Sequence, residues 1–272
     1  MGSMGSGSMG SGLAITYLAQ LAAQPGRPNS RLHFVDAPSR APVSFTLAAF
    51  TIDACPEFTD MTFNIHELLA DLANSRPLFH SEADFQHSFA WELHRRFPDA
   101  SIRLEKPIPI NGGVAHLDVL VQRHNATIAI ELKYKTRKLS VVTPSETYSL
   151  RNHSAQDIGR YDFIKDVSRL EDISFAYPEA VGYAVLLTNE SGYWRNPSTA
   201  TTVDAAFRLH EGRILSGDVA WGSGASAGTM KAREKPIQLR ASYALEWRDF
   251  SSPATGNGSV FRYLAVPIQN GG

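Results

Sequence analysis

Two alternating stretches, one directly after the other, dominate the pattern of apolar and polar positions in this chain. "HLDVLVQR" (116–123) places Leu117, Val119 and Val121 on one side and His116, Asp118, Leu120 and Gln122 on the other. "ATIAIELKYK" (126–135) opposes Ile128, Ile130, Leu132 and Tyr134 to Thr127, Ala129, Glu131, Lys133 and Lys135. Period-two patterning around a short polar turn predicts a β-hairpin. A two-residue loop at His124-Asn125 sets Arg123 opposite Ala126 and so Asp118 opposite Glu131. Alternation then puts Asp118, Glu131 and Lys133 on one face.

Helical spacing flanks this hairpin. "HSEADFQHSFAWELHRRF" has Phe85, Phe89 and Leu93 four apart and predicts a helix over 81–97, with Ser81 as N-cap and Asp84 as its capping-box partner. Glu82 and Gln86 extend the apolar stripe by one turn. A first-turn glutamate also suits the helix dipole, so Glu82 has a structural reading beside the functional one. "NHSAQDIGRYDFIKDVSRLED" predicts a second helix, with Tyr161 on its apolar side. "SIRLEKPIPI" reads as a strand before the hairpin, and Val181–Thr188 as a buried strand after the second helix. "AAFRLHEGRIL", "ASYALEWRDF" and "SVFRYLAVPI" read as further strands at about 200–270.

Two carboxylates across a ladder have Cβ atoms only about 4.5–5.5 Å apart and repel each other. A cation between them removes that cost. Magnesium takes one or two carboxylates and keeps several waters, and a neighbouring ammonium can orient a water or stabilise phosphate charge. Register is the weak point of this argument, because a slip of one residue would leave a solvated polar face.

An acid on one strand followed across a short turn by Glu-x-Lys, here Asp118 with "IAIELKYK", resembles the PD-(D/E)xK phosphodiesterases, the restriction-endonuclease-like superfamily. His116-Leu117 stands where the motif's Pro would precede the acid. The resemblance covers about 81–188 and implies an αβββαβ core, a mixed central sheet flanked by helices. It implies a catalytic set of Glu82, Asp118, Glu131 and Lys133, in which Asp118, Glu131 and Glu82 hold Mg2+ (Mn2+ substituting) and Lys133 positions the attacking water. The implied reaction is in-line hydrolysis leaving a 5′-phosphate, in restriction, repair or anti-phage defence. Some branches carry Gln-xxx-Tyr on the second helix; Gln156 and Tyr161 are five apart, so Gln156, like Gln86, stays a weak candidate.

Composition changes the picture in two ways. The chain has 272 residues, 43% hydrophobic, enough for a full-sized core. Against 26 Lys and Arg stand 27 Asp and Glu, so a DNA partner has to be met by a local basic patch. "KYKTRK" supplies Lys135, Arg137 and Lys138, with Arg151 and Arg160 further on. The single cysteine, Cys55, excludes an internal disulfide and points to an intracellular, cytoplasmic protein without a membrane partner. The histidines show no zinc-ligand spacing, and neither a P-loop nor a Gly-x-Ser-x-Gly elbow is present.

"MGSMGSGSMGSG" (1–12) reads as an expression scar, 13–60 as an uncertain N-terminal extension, and 61–272 as the nuclease-like domain. Two other readings compete with hydrolysis: a nuclease fold that binds nucleic acid without cutting, and an acidic face that pairs with a basic protein partner. DNA against RNA, sequence specificity and assembly into a homodimer are left open at this level.

Overall fold

The structure is a computed structural model that describes residues 63–110, 113–198 and 201–269. The segments 1–12 and 13–60, including Cys55, lie outside the described residues. Helices α1 (Ile65–Ser75) and α2 (Glu82–Arg96) lead into strands β1 (Ser101–Ile110), β2 (Gly113–Arg123) and β3 (Ala126–Lys135). A small hairpin, β4 (Leu139–Val142) with β5 (Thr147–Leu150), precedes the long helix α3 (Gln156–Ala176) and strand β6 (Ala180–Thr188). There follow β7 (Ile214–Val219), the one-turn helix α4 (Ala227–Met230), β8 (Ile237–Ala244), β9 (Trp247–Ser251) and β10 (Phe261–Ile268).

Six strands form one mixed sheet in the order β1-β2-β3-β6-β10-β9. Only β3 and β6 run parallel, joined across α3; the other pairs are antiparallel. The order α2-β1-β2-β3-α3-β6 is the expected αβββαβ succession, and β10 and β9 lengthen the sheet at its far edge. Local signals set the helix starts. The Asn64 side chain accepts the His66 and Glu67 amides, and Ser81 accepts the Asp84 amide. Asp84 does not complete a capping box; its carboxylate takes the His80 amide and Arg76 instead.

The sheet is covered on both faces. Leu68, Leu69, Phe85, Phe89 and Leu93 of α1 and α2 pack on Val119, Val121, Ile128, Ile130 and Leu132. Phe163, Ile164, Val167 and Leu170 of α3, with the β7–β8 hairpin, pack on Leu120, Ala129, Ala184 and Leu186. This is why β6 reads as a near-continuous apolar run. No helix among the described residues is long and apolar enough to cross a membrane.

Two strand expectations hold only in part. "AAFRLHEGRIL" holds a 3-10 turn at Ala205–Phe207, and its strand begins only at Ile214. Phe207 and Leu209 are both fully buried, which imitates strand alternation, but no neighbouring strand offers them a ladder. "ASYALEWRDF" breaks into β8 and β9 at Leu245-Glu246, where the Leu245 backbone bonds Arg213 and Gly212 and the chain passes from the small sheet to the large one.

Candidate functional site

The turn at His124-Asn125 pairs Arg123 with Ala126, and the ladder runs back to Val119 opposite Ile130. One step further, Asp118 meets β3: its Oδ2 accepts the Leu132 amide at 2.7 Å, and its carboxyl is near enough to raise Glu131 by like-charge repulsion. On its other side β2 is paired with β1, and the ladder skips Glu105 and Asp118, which fall between the Leu104–Val119 and Lys106–Leu117 pairs.

At this level the hairpin changes face. Val119 packs on the α1–α2 side, whereas Leu117 joins the α3 side together with Leu120. On β1 the same switch separates Leu104 from Ile108. Glu105, between them, has φ +50, a left-handed conformation costly for a side chain other than glycine. Gln86, buried on α2, holds this kink with both amide hydrogens: Nε2 donates to Glu105 Oε1 and to the Asp118 carbonyl, each at 2.9 Å. The two-sided alternation expected for "HLDVLVQR" therefore holds from Val119 onward and not across Asp118.

Glu131 and Lys133 point to the α3 side, where the helix answers with two charges of its own. Arg169 Nη1 donates to Glu131 Oε1 at 2.6 Å, and Lys133 Nζ sits 2.7 Å from Asp166 Oδ2. Arg169 Nη2 lies 3.2 Å from Asp166 Oδ1, so the four charges form one chain, Glu131–Arg169–Asp166–Lys133. Glu131 is 1% exposed, and its second oxygen, Oε2, has no hydrogen-bond partner. Burial, reinforced by Asp166 and Asp118, pushes the Glu131 carboxyl up to about 9. Asp118 and Asp166 are also raised, mainly by burial and against the pull of Lys133. Lys133 is raised because Asp166 and Asp118 outweigh its burial.

Glu82 approaches from the opposite helix layer. Its Oε2 accepts the Tyr134 amide at 2.8 Å and lies 3.5 Å from Lys135 Nζ, so the first turn of α2 is tied to the C-terminal end of β3. The Glu82 side chain is 43% exposed, which leaves it at the mouth of the site rather than in the buried chain of charges.

Basic residues flank that mouth. Lys138 and Arg151 are exposed at the two roots of the β4–β5 hairpin, and Arg137 is half-buried, reaching Asn257 at 3.2 Å. The hairpin is docked on the α2 entrance by His80, stacked on Tyr148 with ring centroids 4.4 Å apart and bonded to Glu146 at 3.0 Å. Arg160 does not belong with them. It is 4% exposed, pairs with Asp204 at 2.6 Å, and donates to Gln156 Oε1 and the Gly192 carbonyl. A phosphate cannot reach it without breaking a buried ion pair, which also removes Gln156 from the site. Tyr161 is core, its hydroxyl donating to the Lys235 carbonyl. Tyr193 and Trp194 pack against the same core instead of offering a face to a base.

Asp166, Arg169 and Glu105 are not marked by any motif in the sequence. A weaker signal for Asp166 exists: Gly159, Phe163, Asp166, Leu170 and Ile173 form one buried stripe of α3, and a single carboxylate interrupts it. No comparable signal marks Glu105, whose place depends on the kink.

The donor set suits a small hard cation. Among the described residues no group of three or more His, Cys, Asp or Glu side chains is arranged to hold a metal ion. Magnesium asks for fewer, binding through one or two carboxylates plus water and phosphate oxygens. Asp118 and Glu131, with a buried oxygen lacking a partner, meet that lesser demand. Comparisons with protein-family models, with curated proteins and with solved structures return no significant match.

Proposed function

We propose that this chain is a metal-dependent phosphodiesterase of the PD-(D/E)xK kind, acting on DNA inside the cell. The observation that carries the reading is Glu131 Oε2: a buried carboxylate oxygen without a partner, next to the Leu132 amide that Asp118 accepts and two residues before Lys133. Leaving such an atom unpaired costs roughly 1–3 kcal/mol or more, and a cation shared with Asp118 removes that cost.

Asp118 and Glu131 would hold magnesium, or manganese in its place. The ion supplies Lewis acidity toward a phosphate oxygen and makes a neighbouring water a stronger nucleophile. Lys133 projects from the same face and orients the attacking water. Glu82, through the Tyr134 amide, fixes the end of β3. Lys135, Arg137, Lys138 and Arg151 steer the phosphate backbone toward the mouth of the site. Cytoplasmic location fits a chain with one cysteine.

A second reading has an observation of its own. Glu131 is already paired with Arg169 and Lys133 with Asp166, a self-sufficient arrangement in a protein that binds nucleic acid without cutting it.

Cleavage of labelled linear, circular and single-stranded DNA in magnesium or manganese, against EDTA, separates the two. Wild type and Lys133→Ala are compared side by side. Metal-dependent cutting that disappears in the variant is the expected result. No cutting of any substrate, together with a melting temperature indifferent to magnesium, turns the choice to the binding module.

A further inference from the structure

We infer that Arg169 is the resident counter-cation of this site and that a bound divalent metal releases it from Glu131 to the phosphate of the substrate. The inference rests on the metal-dependent reading above and adds a phosphate-binding residue that lies outside the strand motif.

Its basis is the charge inventory of the cluster. Three carboxyl groups, Asp118, Glu131 and Asp166, face two cations, Lys133 and Arg169. Two further acids lie close but face solvent, which screens them: Glu82, 43% exposed and paired with Lys135, and the exposed Glu105. With all three carboxyls ionised, as a divalent ion between Asp118 and Glu131 Oε2 requires, the ion leaves the cluster with an excess of one positive charge. Like charges at this separation and burial repel strongly, so one resident cation becomes redundant.

Geometry selects Arg169. Lys133 is 16% exposed, grows from the strand that carries Glu131, and is held by Asp166 at 2.7 Å and by the Leu132 carbonyl at 3.3 Å. Arg169 is 25% exposed and reaches the cluster from α3, touching Glu131 with one nitrogen and Asp166 with another. It is the longer and more open of the two, and release from Glu131 leaves its bond to Asp166 as a pivot. A planar guanidinium also matches phosphate with two parallel hydrogen bonds, which an ammonium does not. Metal occupancy and substrate binding are thereby coupled through one side chain.

Two measurements test this without relying on turnover. Thermal melts with increasing manganese give the half-saturating metal concentration. Fluorescence anisotropy of a labelled DNA duplex in calcium gives substrate affinity. Arg169→Gln should melt lower than wild type in EDTA, half-saturate at roughly tenfold less manganese because one repelling charge is gone, and bind the duplex about tenfold more weakly in calcium. Arg169→Lys keeps the charge without the fork; it should need as much manganese as wild type yet still bind the duplex more weakly. That variant carries the test if Arg169→Gln does not fold. An Arg169→Gln protein that needs as much manganese as wild type, or more, overturns the inference alone, as does undiminished duplex binding by both variants. A wild-type melting temperature that manganese does not move overturns the metal reading and this inference together.

Discussion

Lys133 Nζ and Asp166 Oδ2 lie 2.7 Å apart, joining the lysine of the Glu-x-Lys stretch on β3 to a carboxylate in the middle of α3. The two are far apart in sequence and almost removed from water, with side-chain exposures of 16% and 4%. The pair fixes where the ammonium of the proposed site sits, and it ties the α3 layer to the sheet at the site itself.

Breaking that pair from either end should be costly. Lys133→Met leaves Asp166 with Arg169 alone, and Asp166→Asn takes from Lys133 its nearest carboxylate, each a destabilisation of about 3 kcal/mol. The double variant should be destabilised by much less than the sum of the singles. Urea denaturation of the four proteins of this cycle measures the difference, and strict additivity would show that the pair is not coupled.

Stability of the metal-free protein should decline as pH rises. Burial, with Asp166 and Asp118 beside it, lifts the Glu131 carboxyl from 4.5 to about 9. Between those values the folded chain keeps a proton that the unfolded chain releases. Folding is therefore favoured at the acidic end, and the advantage is lost progressively toward pH 9. Glu131→Gln carries no such proton and should flatten the slope. Chemical denaturation in EDTA across this window is the check; equal slopes for the two proteins would refute the assignment to Glu131.

Arg160 should matter for folding and not for nucleic acid. Its buried pair with Asp204 predicts a destabilisation of about 3 kcal/mol or more for Arg160→Met. DNA affinity of the folded variant at low temperature should match wild type. A stable variant with weakened DNA binding would restore Arg160 to the phosphate-binding residues.

Lys138 and Arg151 should behave in the opposite way. Both are exposed, so replacement by alanine should change stability by less than about 0.5 kcal/mol. Removing one phosphate-binding side chain should lower the slope of log affinity against log salt by about 0.9. Binding isotherms at several salt concentrations read this directly, and an unchanged slope in the double variant would remove the patch from the interface.

How far the fold was legible varies with the range of the interactions involved. The register of β2 and β3 follows from local facts, a two-residue turn and β-branched alternation, and the observed Arg123–Ala126 pairing agrees with them. The start of α2 follows from Ser81 in the same way. Face assignment across Asp118 was not legible, because it depends on a left-handed residue on the neighbouring strand and on Gln86 from a helix in another layer. The false strand at 205–213 has a similar origin. Burial of Phe207 and Leu209 is set by the α3-side core, and alternation alone does not say whether a ladder partner exists.

The sequence by itself determined most of the elements and the β2–β3 register from Val119 to Arg123, because propensity, turn chemistry and side-chain period act over a few residues. It brought Asp118, Glu131 and Lys133 together by their spacing along one hairpin. Tertiary structure alone decided which charges answer them. Asp166 and Arg169 reach the site only because α3 crosses back over β3 to make β6 its parallel neighbour. Coulomb interaction depends on separation in space and on burial, neither of which the order of residues records.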